Sequence, residues 1–128
     1  MQGKIDTYSA RVPVHESLAR PVFAQDIQNL LERLPDLQII DIRESCDYAR
    51  SHFATARNIP MPDFAALSGE ILRHSSTPYL LYCYSGYTAS VYGSYLVEMG
   101  ADNVYFFDES FEALMQVADP QSLNKNPS

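Results

Sequence analysis

Residues 80–90, Leu80-Leu81-Tyr82-Cys83-Tyr84-Ser85-Gly86-Tyr87-Thr88-Ala89-Ser90, decide how the chain is read. An apolar run delivers a cysteine onto a turn of small residues that opens a helix. Backbone N–H groups of such a turn, and the positive end of the helix behind it, favour negative charge at the sulfur as they favour phosphate in nucleotide-binding loops. The thiolate is the nucleophilic form of cysteine, and helix N-termini increase its share at neutral pH. Cys83 is therefore the candidate nucleophile, weighed against the plain alternative of a small buried hydrophobe at a strand end.

Outward from this stretch, strands and helices alternate. The spacing predicts a strand over 79–82 and a helix over 88–99, followed by a strand over 104–107 and a helix over 109–117. Upstream, Ile27, Leu30, Leu31 and Leu34 recur at helical spacing over 25–34, and Pro35 ends the stretch. A β-rich run over 37–42 comes next, then a half-turn over 48–51 and a short strand over 57–59. Phe64, Leu67 and Ile71 mark a helix over 63–73 with Asp63 as its N-cap. This alternation implies a parallel sheet covered on both faces, in which ligands gather beyond the carboxyl ends of the strands. Cys83 and the loop after Asp41-Ile42-Arg43 both belong at that end.

Within the helix after the cysteine turn, residues 89–97 carry no charge, and Ala89 with Gly93 and Ser90 with Ser94 form a face of small side chains. A helix-interior glycine costs about 1 kcal/mol relative to alanine, which close packing on the sheet would offset. An interface with a partner is the other reading of that face.

At 128 residues the chain suffices for one core and is too short for two ordinary domains. We expect an N-terminal extension over 1–18, one domain over 19–118 and a C-terminal tail over 119–128, with poorly ordered ends and no internal repeat. No apolar run approaches the length of a membrane span, and the first residues hold no apolar stretch to serve as a secretory signal, so a cytoplasmic location is expected. Nine Lys and Arg against sixteen Asp and Glu give a net charge of -7, which argues against nucleic acid and acidic membranes as partners. Cys46 and Cys83 are too few for a disulfide scaffold and lack zinc-site spacing, so free thiols are expected.

Four stretches together resemble the single-domain rhodanese family, sulfurtransferases of the thiosulfate sulfurtransferase type. They are Asp41-Ile42-Arg43-Glu44, residues 48–60, the Cys83 loop, and residues 99–105, in the family's order and spacing over about 20–118. The resemblance implies an α/β three-layer sandwich with a central, mainly parallel sheet of about five strands. It implies transfer of a sulfane sulfur through a persulfide on Cys83, from thiosulfate or a persulfide donor to a thiol or cyanide acceptor or a protein acceptor, without metal or other cofactor. Tyr84, Ser85, Gly86, Tyr87 and Thr88 become the substrate-binding loop, and Asp41, Arg43 and His52 its structural support. Related phosphatases carry a loop one residue longer that ends in arginine, so phosphatase chemistry is not expected.

The chain also departs from the family. The loop has no basic residue, Glu109-Ser110 replaces the usual Gly-Gly pair, and Leu114 replaces the usual tryptophan. An anionic donor would then rely on N–H groups and hydroxyls, beside a wall of added negative charge. These departures leave room for a rival reading as a binding or regulatory module with little turnover. A thiol-redox protein using Cys83 and Cys46 is a third reading that no Cys-x-x-Cys motif supports. Six of nine tyrosines fall between Tyr79 and Tyr95. Of these, Tyr79, Tyr82, Tyr92 and Tyr95 are expected in packing, and Tyr84 and Tyr87 at the pocket mouth. His15 and His74 match no ligand spacing.

Overall fold

The computed structural model describes residues 18–73, 76–118 and 123–125; His15 and His74 lie outside them. Five strands build the main sheet: β1 (Arg20–Val22), β2 (Gln38–Asp41), β4 (Arg57–Asn58), β5 (Tyr79–Tyr82) and β6 (Val104–Phe107). Their order is β1-β6-β5-β2-β4, and every neighbouring pair is parallel. The helices are α1 (Ile27–Arg33), α2 (Ser45–Arg50), α3 (Phe64–Leu72), α4 (Tyr87–Glu98) and α5 (Phe111–Val117). A second, two-stranded sheet pairs β3 (Ser51–Phe53) antiparallel with β7 (Leu123–Lys125).

Strand alternation sorts the apolar residues into two cores. On one face Ile40, Leu81, Cys83, Val104 and Phe106 pack with Phe64 and Ile71 of α3 and Ala89 and Leu96 of α4. On the other, Ile39, Leu80, Tyr82 and Phe107 pack with Ile27 and Leu30 of α1 and Leu114 of α5. Because β5 is buried at all four positions, it reads in sequence as a continuous apolar run, as a central parallel strand should. The result is the expected α/β three-layer sandwich. Gly93 explains how α4 lies so close to the sheet: a Cβ there would sit 2.8 Å from the Ala19 Cβ and 3.5 Å from Val104 Cγ1.

Several elements differ from the sequence reading. Strand β1 escaped it, because Arg20-Pro21-Val22 is too short and too exposed to show a period. The half-turn expected over 48–51 is a full helix, α2, that runs directly into β3. Strand β7 lies in the polar C-terminal stretch, where backbone pairing with β3 supplies what composition does not. Asp63 occupies the N-cap position of α3 without a side-chain cap, since the preceding 3-10 turn Met61–Asp63 already feeds the helix. Among the described residues, no helix is long and apolar enough to cross a membrane.

Candidate active site

Cys83 follows the last residue of β5, and its side chain joins the face that α4 covers. Its Sγ accepts hydrogen bonds from the backbone N–H groups of Gly86 and Ala89, both at 3.3 Å. The chain achieves this by turning sharply at Gly86, whose φ of 102° and ψ of -33° suit glycine, and by starting α4 at the next residue. Ala89 is then in the first helical turn, where N–H groups have no carbonyl partner within the helix. Cys83 is 3 % exposed, whereas Tyr84, Ser85 and Tyr87 are exposed and Thr88 is half-buried. A sulfur held by two inward N–H groups beneath a polar rim can carry negative charge and accept a second sulfur atom in the same cradle.

The loop is tied to its surroundings on three sides. The Tyr84 carbonyl accepts from the Phe111 N–H at the start of α5, at 3.0 Å. The Tyr84 phenol leans over α2, donating to the Asp47 carboxylate and accepting from the Glu44 N–H at 3.2 Å. Burial first, then the Asp47 carboxylate, raises its pKa from the ordinary phenol value. Gly86 packs on Asp108: a Cβ at Gly86 would lie 3.0 Å from the Asp108 Cα and from its Oδ1. Burial, and then the charge of Glu109, raises the Asp108 pKa.

Asp41 and Arg43 form a buried pair under the loop. Arg43 Nε lies 3.1 Å from both Asp41 oxygens and Nη2 2.8 Å from Oδ2, while Nη2 also donates to the Ser51 carbonyl at 2.7 Å. Burial works against the Arg43 charge, and the Asp41 hydrogen bonds and charge outweigh it, leaving its pKa raised. The guanidinium carbon sits 3.7 Å from the centre of the Phe111 ring, 5.8 Å from Tyr82 and 5.9 Å from Tyr84. His52 is buried, its Nδ1–H donates to the Tyr48 carbonyl at 2.7 Å, and its ring stacks on Tyr48 at 3.7 Å.

Tyr82 was expected only in packing, and its hydroxyl does more. It accepts from the Phe53 N–H at 3.0 Å, and burial, followed by the nearby Asp41 charge, raises its pKa. This bond ties β3 to the residue immediately before Cys83. No spacing rule could have found it, because a phenol on an apolar strand reads as bulk. At the pocket wall the negative charge of Glu109 is present, and its carboxylate is anchored. Glu109 Oε2 accepts from the Ala24 N–H at 2.7 Å, and Ser110 caps α5 by accepting from the Ala113 N–H.

Glu44, Cys46 and Asp47 bring ligand atoms within 4.8 Å of one another. The Cys46 thiol and the Tyr84 phenol already occupy these carboxylates, so internal hydrogen bonds account for the cluster. Both cysteines are free, Cys46 exposed and Cys83 buried. A cavity of about 220 Å³ is lined by Gln38, Arg57, Glu70 and Tyr79, at the amino ends of β2 and β5 and so at the far end of the sheet from Cys83.

The sequence matches the rhodanese-like domain family over residues 23–116. The chain belongs to this family. Among curated relatives of this rhodanese-like chain, the thiosulfate sulfurtransferase GlpE of Coxiella burnetii is 30% identical over 91 residues, spanning 71% of this chain and 83% of that one. GlpE of Stutzerimonas stutzeri is 34% identical over 77 residues, 58% of this chain and 66% of its own. Among solved structures, a rhodanese-related protein from Thermoplasma volcanium superposes with a TM-score of 0.64 at 21% identity, over 79% of this chain and 95% of that one. A thiosulfate sulfurtransferase from Pseudomonas aeruginosa gives a TM-score of 0.68 at 20% identity, over 84% of this chain and 20% of that longer one. The structural likeness establishes the rhodanese-like fold.

Proposed function

We propose that this protein is a sulfurtransferase in which Cys83 carries the sulfur. The Cys83 thiolate attacks the sulfane sulfur of thiosulfate or a persulfide, the donor's sulfur–sulfur bond breaks, and its electron pair leaves with sulfite or the donor thiolate. A thiol or cyanide then attacks the outer sulfur of the Cys83 persulfide, and the electron pair of that bond returns to Cys83. The observation that carries this reading is the pair of N–H groups 3.3 Å from Sγ, which supply hydrogen bonds to an anionic sulfur in both steps. In this reading Tyr84, Ser85, Gly86, Tyr87 and Thr88 receive the donor, and Asp41, Arg43 and His52 hold the loops beneath.

Intact-mass measurement after incubation with thiosulfate or an organic persulfide tests the proposal. The expected result is a gain of one sulfur atom located at Cys83, lost on adding cyanide with release of thiocyanate, and absent in Cys83→Ser. A folded wild-type protein that gains no sulfur from either donor would be a rhodanese-like binding module instead.

A further inference from the structure

The loop from Cys83 to Thr88 contains no lysine or arginine. The cation found against it, Arg43, is 4% exposed and bonded through its guanidinium to both carboxylate oxygens of Asp41, which neutralise it. Carboxylates, by contrast, touch the loop: Asp47 accepts from the Tyr84 phenol, and Asp108 lies against Gly86, the residue whose N–H faces the sulfur. The Asp108 carboxylate lies against the Cα of Gly86, with Oδ1 3.0 Å from where a Cβ would be, and the Gly86 N–H is the group that donates to Sγ at 3.3 Å. With standard bond lengths this run of contacts caps the Oδ1–Sγ separation at about 9 Å. That is about one Debye length at physiological salt and well inside one at low salt, so the charge is felt at the sulfur. Asp47 and Glu44 bond the Tyr84 phenol and the Cys46 thiol, and Glu109 bonds the Ala24 N–H.

We propose that Asp108 sets the charge preference of the site, disfavouring dianionic sulfur donors and selecting donors and acceptors whose reactive sulfur is carried on a zwitterionic or cationic molecule. This inference rests on the sulfurtransferase reading and narrows it. Two backbone N–H groups suffice for the single negative charge of a thiolate or persulfide. A second negative charge on the donor meets no lysine or arginine of the loop and, among the described residues, is repelled by the nearby Asp108 carboxylate. The repulsion grows with donor charge and vanishes for a donor of zero net charge.

Three donors that share the sulfane–sulfonyl bond and differ in charge test it: thiosulfate, methanethiosulfonate and 2-aminoethanethiosulfonate, respectively a dianion, a monoanion and a zwitterion. In each, Cys83 takes the sulfane sulfur and sulfite or the corresponding sulfinate leaves. Loading of Cys83, followed by intact mass at about 10 mM ionic strength and expressed relative to the zwitterion with the same protein, should be faster in Asp108→Asn by roughly fivefold for thiosulfate and roughly twofold for the monoanion. In the wild-type protein, salt should raise the thiosulfate rate relative to the zwitterion rate, and Asp108→Asn should flatten that dependence. An equal change with all three donors, or none, would overturn the inference while leaving the sulfurtransferase reading intact. A wild-type donor ratio indifferent to salt would overturn it without recourse to the variant. Failure of all three donors to load wild-type Cys83 would overturn the sulfurtransferase reading and this inference together.

Discussion

Replacing Gly86 with alanine tests the stability of the loop and the chemistry of the sulfur at one atom. Gly86 sits at φ 102°, ψ -33°, outside the regions that side-chain-bearing residues adopt, and holding alanine there costs about 1–3 kcal/mol. The new Cβ would also meet Asp108 Cα and Oδ1 at 3.0 Å and its carbonyl carbon at 3.2 Å. Backbone atoms cannot rotate away, and overpacking of this kind costs about 1–3 kcal/mol. The lost chain entropy of the unfolded glycine returns roughly 0.4–1 kcal/mol. The net loss should be about 2–4 kcal/mol, a large share of the roughly 5–15 kcal/mol that holds a domain of this kind together.

Gly100 supplies the control. It too has a positive φ, 118°, yet no atom lies within 4 Å of a Cβ built on it, so Gly100→Ala carries the backbone strain without the collision. In urea titrations, Gly86→Ala should lower the midpoint by roughly 1–2 M and Gly100→Ala by about half as much, for slopes near 2 kcal/mol per molar. Persulfide loading of Cys83 should fall in Gly86→Ala, because relieving the collision moves the N–H that faces Sγ, and stay unchanged in Gly100→Ala. Equal midpoints for the two variants would refute the claim that the loop is wedged against Asp108. Undiminished loading in Gly86→Ala would refute the claim that its N–H positions the sulfur.

Tyr82→Phe should lose about 1–3 kcal/mol in the same titration, because the buried Phe53 N–H is left without its acceptor; a loss below about 0.5 kcal/mol would show that the phenol only fills space. For Asp108 the folded-state pKa is raised, so the folded protein binds the proton more tightly than the unfolded chain, and stability contributed at low pH is lost as pH rises through the folded pKa. Asp108→Asn should therefore gain stability relative to wild type between pH 4 and pH 7 by urea midpoint, and a constant difference across that range would contradict the shift. Thr88→Arg, at a half-buried position in the first turn of α4, should lower KM for thiosulfate several-fold, equivalent to roughly 1 kcal/mol for a partly solvated charge-assisted contact, as read by steady-state kinetics.

What the sequence disclosed follows physical period. Strands β2, β5 and β6 are buried and apolar, and helices α1, α3 and α4 carry clear amphipathic or small-residue faces, so each announces itself. The Cys83 turn was legible for a different reason, since small residues between an apolar strand and a helix leave few other conformations. Strand β1 and the α2–β3 segment were not legible, because three-residue strands and a six-residue helix are too short to show a period and are held by neighbours distant in sequence. Arg20–Val22 pairs with β6, which enters the chain more than eighty residues later. The same holds inside the site. The Tyr84 phenol reaching the N-terminus of α2, Asp108 under Gly86 and the Tyr82 phenol on the Phe53 N–H join residues that share no local motif, and only the strand order brings them together.

That strand order bears on the chemistry. Cys83 leaves the central strand β5, flanked by β2 and β6, so each neighbour sends its own exit loop alongside the sulfur. From β2 come the Asp41–Arg43 pair and α2, which receives the Tyr84 phenol. From β6 come Asp108, against which Gly86 rests, and α5, whose Phe111 N–H holds the Tyr84 carbonyl. Tyr84 is thereby held from both flanks and Gly86 from one, while α4 fixes Ala89 from behind. In the proposed sulfurtransferase reading, N–H groups fixed in this way need no rearrangement as charge moves between the inner and outer sulfur, and that economy is the main contribution a preorganised site makes. The site's selectivity then falls to whatever stands at the rim. Among the described residues the charged groups next to this loop are carboxylates and one neutralised arginine, so donor charge is the variable to which the reaction should respond most strongly.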